Sequence, residues 1–194
     1  MRVATDIGGT FTDLVAVDDQ GKTILTKSHT TPPNFEEGVI KVIQKSGVCP
    51  QEIKDFIHGT TTIINALTER KGAKTALITT KGFRDVLEIA RCNRPDLFNM
   101  VFAKPRPFIP RYHRKEVEER VSFDGKVVTP LNEEDIKAAV EYFKKEKVEA
   151  IAVCYINSYA NDEHEKRTVE LIRKLWPEVF VTSSIEVTKE WREY

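Results

Sequence analysis

The sequence predicts an α/β fold, with a mixed sheet that opens as an antiparallel meander and carries helices on its flanks. Three short strand-like segments follow one another between residues 1 and 30 with only turn residues between them, which is the pattern of a meander. From residue 131 to residue 183 helical and strand periodicities alternate, as they do in a parallel βαβ unit. A chain of 194 residues is long enough to bury a core of this kind.

The elements follow in order. Met1 to Ile7 and Phe11 to Val17 read as two strands joined by Gly8-Gly9, a two-residue loop in which glycine takes positive φ angles cheaply. On that register Asp6 pairs with Phe11 and Ala4 with Asp13. Asp6 and Asp13 then share a face as diagonal neighbours, with Cα atoms roughly 7–8 Å apart. Asp18-Asp19-Gln20-Gly21 is a turn, and Thr23 to Thr30 returns alongside. After Pro32-Pro33, residues Phe35, Val39, Val42 and Ile43 keep helical spacing up to a capping Gly47. Ile53 to His58 is a short strand entering His58-Gly59-Thr60-Thr61-Thr62. A helix from Ile63 to Arg70 follows, capped by Thr60 or Thr61 and closed by Gly72.

Lys74 to Thr80 reads as a strand and Phe83 to Ala90 as a helix. Tyr112 to Val121 and Lys126 to Thr129 read as a hairpin around Asp124-Gly125, with Arg114, Glu116, Glu118 and Glu119 on its charged outer face. Asn132 caps a helix that turns Ile136, Val140 and Phe143 inward. Its acids lie in the first turn and its lysines in the last, which complements the helix dipole. Glu149 to Ile156 suits a central strand covered on both faces. Asn161 caps a helix that buries Val169, Ile172 and Trp176 and ends at Pro177. Val179 to Ser183 is the last strand, and Ser184 to Tyr194 leads toward another helix.

Composition removes several function classes. Thirty basic residues balance thirty acidic ones, so no net field draws the chain to nucleic acid or to an anionic membrane. No apolar run approaches the roughly 20 residues of a membrane helix. Strand-like sequence starts at Arg2, which leaves no room for a leader. Cys49, Cys92 and Cys154 are odd in number and far apart, as expected of reduced thiols in a cytoplasmic protein. The four histidines form no metal-binding pair.

What remains is the stretch Asp6-Ile-Gly-Gly-Thr-Phe-Thr-Asp13. Gly8 and Gly9 expose backbone N–H groups, Thr10 and Thr12 add hydroxyls, and two carboxylates stand nearby. Such a set suits a phosphate chain with a hydrated Mg²⁺, which takes one or two carboxylates and keeps its waters. An ordinary hairpin with solvated acids satisfies the same spacing. The second Gly/Thr stretch, Thr60 to Thr62, opens a helix whose N–H groups attract anions or simply receive a cap. Asn65 is polar on its first turn and is a candidate substrate hydrogen-bonder. Arg84, Arg91 and Arg94 gather guanidinium groups that bind carboxylate or phosphate, or pair with Asp85 and Glu88 on a solvated face.

Taken together these segments resemble the N-terminal region of the hydantoinase A/5-oxoprolinase family, which includes acetone and acetophenone carboxylase subunits. The resemblance is carried by Asp6 to Asp13, by His58-Gly-Thr-Thr61 with Asn65-Ala-Leu67 and Glu69-Arg-Lys-Gly72, and by Gly82-Phe-Arg-Asp85. Arg91, Arg94-Pro95, Glu119-Arg-Val121, Ser158-Tyr-Ala-Asn161 and His164-Glu165 extend it along nearly the whole chain. Ala90-Arg91-Cys92 and Asn157-Ser158-Tyr159 depart from the family's usual residues.

The resemblance implies a ribonuclease-H-like lobe of the actin/sugar-kinase-like ATPase type, occupying residues 1–194, with the second lobe absent from this chain. It implies ATP and Mg²⁺ as cofactors, with Asp6 holding Mg²⁺ through water and Asp13 either in the ion's outer shell or orienting a water. Gly8, Gly9, Thr10 and Thr12 would bind phosphate, and Thr60 and Thr61 would lie at the reacting centre. His58, Asn65, Arg91 and Arg94 would face substrate. The implied reaction is phosphorylation of a lactam carbonyl followed by hydrolytic ring opening of a cyclic amide. The ATP-binding part of an acetone- or acetophenone-type carboxylase and a non-catalytic phosphate-loop module are the alternatives. The implied partners are a second lobe or a hydantoinase B-like subunit, or a further copy of the chain in a homo-oligomer.

Overall fold

Alternating apolar and polar residues make Arg2–Ile7 (β1) and Phe11–Val17 (β2) half-covered strands that pair antiparallel. Val3, Ile7, Leu14 and Ala16 turn to the covered face, and Asp6, Phe11, Asp13 and Val15 to the open one. Thr23–His29 (β3) returns antiparallel to β2. The helix Phe35–Ser46 (α1) then crosses over, burying Gly38 and Val42 and ending at Gly47, whose φ of 71° is left-handed. Asp55–Thr60 (β4) comes back parallel to β1, giving the order β3-β2-β1-β4. The meander thus opens a mixed sheet, as expected. The helix Thr62–Glu69 (α2) follows, and it ends at Arg70 (φ 54°) rather than at Gly72.

The computed structural model describes residues 1–91, 96 and 98–191, and these fall into two compact units, Met1–Gly72 and Ala73–Tyr194. In the second unit Thr75–Thr80 (β5) exits into a short helix, Val86–Ile89 (α3). Arg114–Val117 (β6) runs parallel to β5. Arg120–Val121 (β7) and Val127–Thr129 (β8) form a small hairpin of their own. The helix Glu133–Lys145 (α4) precedes the strand Ala150–Cys154 (β9). The helix Glu163–Leu175 (α5), the strand Phe180–Ser183 (β10) and a single turn, Ser184–Val187 (α6), complete it. All four strands of the main sheet are parallel, in the order β10-β9-β5-β6. Ile78, Ile136, Val140, Phe143, Ile151 and Ile172 fill the core beneath α4 and α5.

The expected hairpin does not form over the whole of Tyr112 to Val121. Its first half joins the parallel sheet as β6, with Leu77 opposite Arg114, and only Arg120–Val121 pairs across Asp124-Gly125. Two charged residues expected on an outer face are therefore interior. Arg114 is fully buried and satisfies its guanidinium on Ile109 O (2.9 Å), Arg84 O (3.3 Å) and Glu88 Oε1 (2.9 Å). Glu119 is buried too, accepting from the Thr80 hydroxyl and lying 2.8 Å from His164 Nδ1. Buried charges persist only when paired in this way.

Candidate functional site

The site in the first unit is built at the carboxyl ends of β1 and β4, where the β1–β2 turn meets the start of α2. The register places Asp6 opposite Asp13 and Ile7 opposite Thr12, and Gly8 N donates to Phe11 O at 2.9 Å. The tight turn is therefore Gly9-Thr10, one residue later than the expected Gly8-Gly9 loop. The two aspartates are direct cross-strand partners rather than diagonal neighbours, which brings their Cα atoms to roughly 4.5–5.5 Å. Neither Gly8 nor Gly9 takes a positive φ. Close approach explains them instead. A Cβ on Gly8 would lie 3.0 Å from Phe11 O, and one on Gly9 would lie 3.2 Å from Asn65 Nδ2.

Among the described residues nothing accepts from the amides of Gly9 or Thr10. Exposed N–H groups on a tight turn form an anion-binding surface. The open face of the sheet beside the turn carries the row Lys27–Asp13–Asp6–Gly59, one residue per strand, with charges on the first three. Lys27 Nζ lies 3.5 Å from Asp13 Oδ1, and Gly59 leaves room for the Asp6 carboxylate, since a Cβ there would sit 3.3 Å from Oδ1.

Thr60 and Thr61 end β4 against the carbonyl of Ile7. Thr61 N donates to it at 3.1 Å, and both hydroxyls reach it at 3.4–3.5 Å. Thr61 occupies the cap position of α2 without a side-chain cap bond, while Thr60 Oγ1 accepts from Thr62 N at 3.2 Å. Asn65 Nδ2 donates to Thr61 Oγ1 at 3.3 Å and so lies against Gly9. His58 bonds the buried Thr5 hydroxyl through Nδ1 at 2.8 Å and stacks parallel to Phe56. Its neighbour in the ladder is Thr5, so it lies on the other face of the sheet from Asp6. Thr12 is fully buried on that covered face, its hydroxyl 3.2 Å from Thr30 Oγ1.

The structure thus brings Asp6, Gly8, Gly9, Thr10, Asp13, Thr60, Thr61 and Asn65 to one end of the sheet. Arg91 is exposed beyond α3 in the second unit, and Arg94 lies outside the described residues. Reading the sequence missed Thr30, Gly38, Gly59 and Lys27. The meander itself was the available signal, because it returns the Thr30-Thr31 pair beside the turn. No cluster of three metal-ligating side chains occurs among the described residues. Two carboxylates with open solvent around them fit a hydrated Mg²⁺.

The model of the hydantoinase/oxoprolinase N-terminal region matches residues 2–176. The chain belongs to this family. Within it, the caprolactamase alpha subunit of Pseudomonas jessenii is 35% identical over 203 residues, covering all of this chain and 29% of that protein. The crystal structure of the ATP-dependent caprolactamase from the same organism superposes with a TM-score of 0.83 at 34% identity, over all of this chain and 30% of that one. A nucleotide-free acetone carboxylase structure gives a TM-score of 0.88 at 24% identity, again over all of this chain and 30% of the other, and bears on the fold alone. The chain therefore spans about 30% of the length of these family members.

Proposed function

We propose that this chain supplies the phosphate-binding part of an enzyme that uses ATP to open a cyclic amide. The observation that carries the reading is the pair of free amides at Gly9 and Thr10 beside two directly opposed carboxylates. The antiparallel meander followed by a fourth strand parallel to β1 supports a ribonuclease-H-like lobe of the actin-type ATPases. Kinship with a caprolactamase supports a lactam as substrate.

Bound ATP would supply the phosphoryl group that converts an amide oxygen into a leaving group. The residues of this chain position and neutralise, which is most of what phosphoryl transfer requires. Gly9 and Thr10 would direct two N–H groups at anionic oxygens, and Asp6 with Asp13 would hold a hydrated Mg²⁺. Gly8 and Thr12 shape the turn from behind. Thr60 and Thr61 offer hydroxyls beside it, and Asn65 offers an amide. Arg91 and Arg94 are the candidates for substrate contact; His58, bonded to Thr5, is a candidate only from the face of the sheet opposite Asp6. The remainder of a longer chain or a second subunit, such as a hydantoinase B-like one, would complete the site.

Asp6→Asn tests this reading in the complete protein. Lactam-dependent ATP hydrolysis should fall by at least about a hundredfold while the circular dichroism spectrum stays that of the parent. Undiminished turnover would remove Asp6 from the mechanism. Omitting and adding bicarbonate in the same assay separates ring opening from carboxylation. Absence of turnover with every partner would leave a non-catalytic module.

A further inference from the structure

We propose that Thr30 is the positioning residue that holds the Gly9-Thr10 turn ready for its ligand. The proposal rests on the phosphate-binding reading of that turn. Thr30 follows β3 and grips the turn at two carbonyls. Its amide donates to Thr10 O at 3.0 Å, and its hydroxyl donates to Gly8 O at 2.9 Å. A peptide unit is planar and trans, so its C=O and N–H point in opposite directions. Drawing the Gly8 carbonyl toward Thr30 therefore aims the Gly9 N–H away from the sheet interior. The grip on Thr10 O fixes the other end of the turn.

The hydroxyl of Thr30 is itself held. Thr12 Oγ1 lies 3.2 Å away, and because the Thr30 proton is committed to Gly8 O, the Thr12 hydroxyl is the donor. The relay Thr12 → Thr30 → Gly8 polarises in one direction, and its first member is fully buried. α1 closes over it. A Cβ on Gly38 would lie 3.1 Å from Thr12 Oγ1 and 3.2 Å from Thr31 Oγ1, so glycine is what allows the helix to approach. The turn is thus fixed from behind by groups that never reach the ligand, and its two free amides need no rearrangement to receive an anion.

Two substitutions in the complete protein test this. Thr30→Val keeps the branched shape and the backbone amide but deletes the hydroxyl, whereas Thr30→Ser keeps the hydroxyl. Steady-state kinetics and titration with Mg²⁺ and a non-hydrolysable ATP analogue should show the KM for ATP and the analogue Kd rising about five- to tenfold in Thr30→Val. The KM for the organic substrate should stay unchanged, and Thr30→Ser should restore the parental values. Gly9→Val, measured in parallel, obstructs the turn directly. If Gly9→Val weakens nucleotide binding and Thr30→Val does not, the relay is wrong and the phosphate-binding turn stands. If neither alters nucleotide binding, both readings fall. If Thr30→Val lowers the melting temperature and raises both KM values alike, Thr30 is only a structural residue and the proposal is overturned.

Discussion

Asp6 and Asp13 face each other across one rung of the β1–β2 ladder, and like charges so placed repel unless a cation lies near them. Lys27 answers Asp13 from β3, while the residue beside Asp6 on β4 is Gly59. In Mg²⁺-free buffer, Asp6→Asn should therefore stabilise the protein by about 0.2–1 kcal/mol in urea denaturation. Adding Mg²⁺ with nucleotide should reverse the ranking. A variant less stable than the parent without Mg²⁺ would contradict the repulsion. Glu165 makes a second residue-scale case. It is fully buried and accepts from Tyr155 N (2.9 Å), Ser184 Oγ (2.8 Å) and Ile185 N (3.2 Å). Burial nevertheless raises its carboxyl above the ordinary value of 4.5, the hydrogen bonds offsetting only part of the desolvation. A raised folded-state value means the group favours the fold while protonated. That contribution is complete below the unfolded value and is lost as pH rises through the folded one. Urea midpoints of the parent should thus fall relative to Glu165→Gln between pH 4 and pH 7. A constant gap across that range would contradict the assignment.

At the scale of elements, local periodicity told the truth wherever one face of one element decided the outcome. The stripe Ile136, Val140 and Phe143 on α4 is fully buried, and Asn132 caps that helix through its side chain, accepting from Glu134 N at 3.1 Å. Phe143→Ala should cost about 3–5 kcal/mol, read from the chemical denaturation midpoint. A loss below about 1 kcal/mol would mean the core collapses around the gap. Periodicity misled where a distant partner decided. Arg114 to Val117 alternates like a hairpin arm, but β5 captures it in parallel register and draws Arg114 and Glu119 inside. The glycine turn was legible in its ingredients and wrong by one residue in its register. Hairpin chemistry alone does not say which pair closes the loop, and here Thr30 takes the carbonyl that the turn would otherwise use. The meander returns Thr30 beside the turn, but what Thr30, Gly38 and Gly59 do was not legible in the sequence, because each acts through a neighbour on another element.

At the scale of the molecule, two units each carry their own sheet and core. No helix among the described residues is long and apolar enough to cross a membrane. β4 is exposed along its whole length, and α2 buries none of its residues although Ile63, Ile64 and Leu67 are apolar. The chain spans about 30% of its caprolactamase relative. A site assembled with further polypeptide predicts that this chain alone hydrolyses ATP no faster than buffer and that turnover requires the rest of the assembly. Lactam-dependent hydrolysis by the isolated chain at the rate of the complete enzyme would refute that division of labour.

The most direct measurement is a crystal structure of the complete protein with Mg²⁺ and a non-hydrolysable ATP analogue. Phosphate oxygens should lie within about 3.2 Å of the Gly9 and Thr10 amides, with a water of the magnesium shell on Asp6. Nucleotide bound elsewhere, with this turn closed over by neighbouring side chains, would contradict the account.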